Sequence, residues 1–162
     1  MKRIEPGPGQ ESVWDYPRPP RVEPSQHQVR VEFGGREIAR SDRAVRVLET
    51  SHPPVFYVPL DDIVSDVIEL TQSSSFCEFK GSASYYTIRV GEQVSVDAAW
   101  TYLDPSPSYE TLTGLVAFYP GRVDACFVGE ERVEPQAGDF YGGWITKSVV
   151  GPFKGAPGTM GW

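Results

Sequence analysis

A chain of 162 residues, 40% of them hydrophobic, is long enough for one domain with a real core and too short for two comfortable ones. A net charge of -7 and an isoelectric point near 4.8 deny it the basic surface that phosphate-backbone binding needs, so nucleic acid is excluded as a partner. No apolar run approaches the ~20 residues of a membrane helix, so no membrane partner and a cytoplasmic location are expected, and 16 Gly with 15 Pro favour many short strands over long helices.

Residues 1–27 carry prolines at 6, 8, 17, 19, 20 and 24, which prevent a regular helix and most strand pairing and predict an extended N-terminal arm. Val13, Trp14 and Tyr16 are apolar enough for that arm to dock. A β domain over 28–133 opens with "QVRVEFGGREIA". There Val29, Val31 and Phe33 alternate with Arg30 and Glu32, and Gly34-Gly35 predicts a hairpin with one wet face. "RAVRVLET" (43–50) and "PVFYVPL" (54–60) read as further strands, separated by the bend "SHPP". In "DDIVSDVIELTQ", Ile63, Val67 and Leu70 fall at helical spacing behind capping aspartates, which predicts a short helix ended by the polar "TQSSS".

The clearest hairpin runs from Ala83 to Tyr102 around Gly91-Glu92. A two-residue loop sets Val90 opposite Gln93, Ile88 opposite Ser95, Tyr86 opposite Asp97, Tyr85 opposite Ala98 and Ala83 opposite Trp100. Tyr85 and Trp100 then become diagonal neighbours, and a bulge would shift the register. "LDPSPSYETLTG" predicts a turn leading to a single helical turn, and "LVAFYPGRVDACFV" two strands around Pro120-Gly121. Residues 134–162 combine five aromatic rings with few charges (Glu134, Asp139, Lys147, Lys154), which predicts an ordered tail packed on the domain or on a second copy of it. A homodimer is therefore left open.

Cys77 and Cys126 make no secreted disulfide framework, and each reads first as a buried structural thiol. Two distant histidines and no Cys-x-x-Cys pair predict no metal and no cofactor. Asp61, Asp62 and Asp66 read as solvated acids, and the glycine clusters as turns rather than phosphate loops. Lys80, flanked by Phe79 and Gly81 just before the hairpin, offers an ammonium for a ligand carboxylate or phosphate, or a nucleophile. It equally suits a lysine reaching out of a turn, or one paired with Glu49 or Glu78. Tyr85 and Trp100 suit an apolar pocket with polar tips as well as a plain core. Glu49 and His52 could form an acid/base pair or make loop hydrogen bonds, and Cys77 could serve as a nucleophile.

"LETSHPPVFYVPLDDI", "CEFKGSASYYTIRV", "AAWTYLDPSP" and "LVAFYPGRVD" occur in that order and resemble the signature blocks of domain of unknown function family 427, also labelled nucleotidyltransferase-like. The tail "FYGGWITKSVVGPFKGAPGTMGW" is similar to the longer, cyanobacterial form. The resemblance implies a single-domain, strongly bent antiparallel sheet of the β-tent or Mss4-like kind, with one or two short helices. It matches Glu49, Tyr57, Pro59, Cys77, Lys80, Gly81, Ala83, Tyr85, Ala99, Trp100 and Pro105. Glu78 stands where the family usually has proline, and the paired cysteines of zinc-bearing relatives are missing.

The expected function is a small-molecule-binding β domain, with a pocket around Lys80, Tyr85 and Trp100 closed by Cys77, Tyr57 and Glu49. The alternatives are an acyl- or nucleotidyl-transfer enzyme using Lys80 or Cys77, and a scaffold protein using the arm and tail. Phe-Lys-Gly recurs at Phe153-Lys154-Gly155, where the expectation is an apolar anchor and a solvated cation rather than a second site residue.

Overall fold

Val29, Val31 and Phe33 are buried while Arg30 and Glu32 are half-buried, the alternation of a strand with one face on a core. The same logic repeats along the chain. The computed structural model describes residues 1–138 and 140–162; Asp139, counted among the charges of the tail, lies outside the described residues. The strands are β1 (Glu11–Ser12), β2 (Arg21–Pro24), β3 (Val29–Phe33), β4 (Arg36–Ser41), β5 (Val45–Leu48), β6 (Val55–Val58), β7 (Ile68–Cys77) and β8 (Gly81–Val90). They continue as β9 (Gln93–Thr101), β10 (Val116–Phe118), β11 (Ala125–Val128), β12 (Glu131–Arg132), β13 (Glu134–Pro135), β14 (Trp144–Ile145) and β15 (Val149–Val150). The helical content described is confined to short 3-10 segments, and no helix among the described residues is long and apolar enough to cross a membrane.

A seven-stranded antiparallel sheet, ordered β2-β5-β6-β10-β9-β8-β7, carries the architecture, with a four-stranded sheet β12-β11-β3-β4 against it. The main core lies between them. Val29, Val31 and Ile38 of the small sheet meet Phe56, Val58, Val116 and Phe118 of the large one. Because strand side chains alternate, Tyr57, Ala117 and Trp100 point to the opposite face, where they form a second cluster with Tyr102, Tyr109, Leu112 and Tyr119. This outer aromatic face positions the candidate site.

The structure corrects two local expectations. No helix spans 61–72: Leu60–Asp62 and Ser65–Val67 are single 3-10 turns, and β7 runs through the polar tract that was to end the helix. Ile63, Val64, Val67 and Ile68 are β-branched and gain more from pairing than from a helix. Ile68 lies opposite Ile88, while Leu70, assigned to the apolar helix face, is exposed. The serines then suit β7 to its place at the sheet edge, where polar residues and a bulge discourage pairing with another chain.

The long hairpin keeps the expected pairs Val90–Gln93 and Ile88–Ser95, but two steps along β8, from Tyr86 to Ile88, match four along β9, from Ala99 to Ser95. Asp97 sits in this bulge at φ 51, its N–H donating to Thr87 Oγ1 at 3.3 Å. Tyr85 is therefore directly opposite Trp100, and Tyr86 opposite Ala99 rather than Asp97. Thr71 Oγ1, in the matching irregularity of β7, donates to Asp97 Oδ1 at 2.9 Å, so the two bulges on either side of β8 are tied together. Bulges of this kind bend strands and raise their twist.

Arm and tail both dock on the domain. β2 pairs with β5 at the far edge of the large sheet, and Glu11 and Glu23 converge on Arg46. Burial alone would raise the Glu11 carboxyl, but the hydrogen bonds from Arg46 and Tyr16 outweigh it and hold the group below its ordinary value. β1 pairs in parallel with β15 of the tail, and β13 with β14. Trp144 is 1% exposed, its ring 5.1 Å from that of Phe56. Phe153 packs against the Val13, Tyr16, Leu48 and Val149 cluster.

Candidate functional site

Five strands contribute one residue each to a row across the outer face: Val45 opposite Tyr57, Tyr57 in line with Ala117, Ala117 opposite Trp100, and Trp100 opposite Tyr85. Directly opposed residues share a face. Ala117, the small member between two rings, lets them meet over it: Trp100 Nε1 donates to Tyr57 Oη at 3.2 Å, with ring centroids 6.1 Å apart. Tyr119 lies 4.5 Å from Trp100, and Tyr85 Oη shares a 2.8 Å hydrogen bond with Ser75 Oγ. Burial pushes the phenols of Tyr57, Tyr102 and Tyr119 well above their ordinary value, so all three stay neutral near neutral pH. These rings wall a cavity of about 270 Å³.

Lys80 enters the cavity from the turn between β7 and β8. Cys77 pairs with Gly81 across that turn, and Gly81, at φ 104, adopts a conformation that residues with a Cβ avoid. The Lys80 carbonyl accepts from the Ser106 N–H at 2.9 Å, which fixes the backbone beneath the side chain. The residue is only 8% exposed, yet among the described residues its ammonium has neither an ion-pair partner nor a side-chain hydrogen bond. Its contact is the face of Tyr102, 5.9 Å from the ring centroid. Glu49, offered by the sequence as its partner, is instead 3.6 Å from Arg18 Nε, and Glu78 is exposed.

The tail supplies the other wall through Gln136, Phe140, Tyr141, Gly142 and Lys154. Gln136 Nε2 donates to the Lys154 carbonyl at 2.6 Å, while its Oε1 accepts from the Gly143 N–H at 3.1 Å. The Lys154 N–H donates to the Ser51 carbonyl at 2.9 Å. The backbone of Lys154 is thus fixed on the domain. The residue is half-buried, with Nζ 5.6 Å from the Tyr141 ring centroid, and it lines the cavity that Lys80 lines. Both copies of Phe-Lys-Gly end in a glycine with positive φ, 104 at Gly81 and 125 at Gly155. The repetition marks one device used twice, a lysine held at the cavity by a turn that needs glycine.

His52 completes this wall. Its ring is 5.3 Å from Tyr141, and its Nδ1 lies 2.8 Å from the Thr50 carbonyl. A carbonyl only accepts, so Nδ1 carries the proton and Nε2 remains as the acceptor of the neutral ring. Burial lowers the His52 pKa from its free value of 6.5 and outweighs the nearby Glu49 carboxylate. No side-chain hydrogen bond joins Glu49 to His52 among the described residues, so the acid/base pair is not formed as drawn from the sequence. The unfolded chain then takes up this proton first, so the stability that neutral His52 contributes is complete above pH 6.5 and lost as pH falls below it. Urea midpoints are expected to fall between pH 7 and pH 5, with a shallower slope in His52→Asn; equal slopes would refute the assignment.

The six residues assigned from the sequence to a pocket, Lys80, Tyr85, Trp100, Tyr57, Glu49 and Cys77, all border this one cavity. Cys126 does not; it is buried opposite Val31 in the small sheet, and burial pushes its thiol up. Sequence reading missed Tyr102 and Tyr119, although each lies two residues beyond a member of the outer face, Trp100 and Ala117. Among the described residues no group of three or more His, Cys, Asp or Glu is placed to hold a metal ion.

A model of the family described as Domain of unknown function (DUF427) matches residues 21–129. No curated protein matches the chain. The match takes in the strands that carry the aromatic row and the turn that carries Lys80, and ends before the tail wall begins. With most of its length so matched, the chain belongs to the DUF427 family.

Proposed function

We propose that the chain is a small-molecule-binding β domain whose cavity takes up a compact organic anion, with Lys80 as its counter-charge. The supporting observation is Lys80, a residue only 8% exposed whose ammonium faces an aromatic ring at the cavity and, among the described residues, no carboxylate. An ammonium that faces a cavity and has no protein counter-charge is available for a charge-assisted hydrogen bond to a ligand carboxylate or phosphate. The aromatic walls offer apolar surface with few polar tips, the usual make-up of a small-molecule site. At about 270 Å³ the cavity is near the lower end of such sites, which run from roughly 300 to 1,000 Å³, so a compact molecule suits it better than a dinucleotide.

The test is thermal and calorimetric titration with benzoate, inorganic phosphate and mononucleotides. A ligand present at 100 times its Kd adds about 2.7 kcal/mol to wild-type stability. Lys80→Met is expected to abolish that gain while leaving the apo protein as stable as wild type or more so, because it removes an unpaired charge and keeps the packing. Failure of all these ligands to bind, or a strongly destabilised apo Lys80→Met, would sink the proposal.

A second reading, an acyl- or nucleotidyl-transfer enzyme, draws on the presence of Cys77, Lys80 and a neutral His52 on one cavity. Cys77 or Lys80 would be the nucleophile and His52 Nε2 the base. Thiol- and amine-reactive probes should then label one of the two faster than a free amino acid, an advantage lost in His52→Asn. Unselective labelling argues against it.

A further inference from the structure

We infer that the ligand is a dianion, a compact molecule with two separate anionic groups joined by a flat apolar middle, one group held by Lys80 and the other by Lys154. This rests on the ligand-binding reading above and adds the ligand class. Two lysines border one cavity, each over a different ring: Lys80 Nζ 5.9 Å from the Tyr102 centroid and Lys154 Nζ 5.6 Å from that of Tyr141. Among the described residues neither ammonium has an ion pair. The carboxylates bordering the cavity do not cancel them, since Glu49 is engaged by Arg18 and Glu78 is exposed to solvent. Neutral His52 adds no charge to the cavity, and its proton is used at the Thr50 carbonyl. The rings of Tyr57, Trp100 and Tyr85 supply the apolar surface that a flat middle requires.

Both lysines are also positioned rather than merely present. The Ser106 N–H holds the Lys80 carbonyl, and Gln136 holds the Lys154 carbonyl at 2.6 Å while Ser51 takes its N–H. Lys80 thus has one such backbone anchor and Lys154 two. The second cation comes from the tail, so the family's core supplies one half of the recognition and the segment beyond it the other.

The experiment is calorimetry of isophthalate and terephthalate against their monoamides on wild type, Lys154→Met, Lys154→Arg and Lys80→Met. Wild type should prefer at least one dianion over its monoamide by about tenfold or more, the size of a charge-assisted hydrogen bond in a part-buried site. Lys154→Met should reduce that ratio to near one, and Lys154→Arg should retain it. If Lys80→Met abolishes binding but the ratio survives in Lys154→Met, the two-cation inference is wrong while the ligand-binding reading stands. If no probe binds wild type at millimolar concentration, or Lys80→Met binds as wild type does, both are wrong.

Discussion

Truncation of Trp144 to alanine is expected to cost about 3–5 kcal/mol of stability, the usual range for deleting a buried tryptophan. The ring is almost wholly enclosed against Phe56, its Nε1 donates to the Phe118 carbonyl at 3.0 Å, and its backbone N–H donates to the Pro54 carbonyl at 2.8 Å. Deletion thus opens a void in the core between the sheets and strands a buried carbonyl on β10. Trp144→Phe keeps the ring contact and loses the Nε1 bond, so about 1–3 kcal/mol is expected. Because Trp144 also anchors the β13–β14 pair between which Gln136 and Gly142 reach the cavity, the alanine variant should lose ligand stabilisation as well. Denaturant melts with and without benzoate read both effects. A loss below about 1 kcal/mol, the level of an ordinary surface change, would mean that the tail is dispensable to the fold.

The second large effect belongs to the glycine after the second lysine. Gly155→Ala places a Cβ against the Ala137 carbonyl, a backbone atom with no flexible end to swing away, at a φ of 125. Backbone strain of this kind costs about 1–3 kcal/mol, and overpacking adds about 1–3 kcal/mol more. The cheapest relief is to reroute the chain at 154–156, which moves Lys154 away from the cavity. Gly81→Ala is the matched comparison. Its φ is equally unsuited to a side chain, but the nearest atom to the new Cβ is Ser106 N at 3.4 Å, ordinary contact. It should therefore cost only the strain. The ordering, Gly155→Ala below Gly81→Ala below wild type in melting temperature, is the checkable result; the reverse would show that the crossing of residues 137 and 155 is loosely held.

The place of Lys80 at the cavity, its turn and the aromatic strand residues were legible because each depends on a few neighbouring residues. Gly81 after Lys80, the alternation in "ASYYTIRV" and the Gly91-Glu92 loop are local signals, and the pairs nearest that loop follow from it. The bulge at Asp97 was not legible, since what holds it is Thr87 and Thr71 on two other strands. The same applies to "DDIVSDVIELTQ". Its apolar spacing fits a helix in isolation, and only the open edge of β8 decides for a strand. The place of Lys154 at the cavity was not legible for a third reason. Its place is set by Gln136 and Ser51, 18 and 103 residues away, and no periodicity records such a contact.

The row Tyr57–Ala117–Trp100–Tyr85 has an evolutionary corollary. The rings and the turn that carries Lys80 lie within the residues the family model matches, while the opposite wall hangs on a separate segment reached after residue 129. The two walls can then vary separately: changes in the tail reshape one side of the cavity, and Ala117, one methyl group in the floor, is a single position at which a larger side chain would part the two rings.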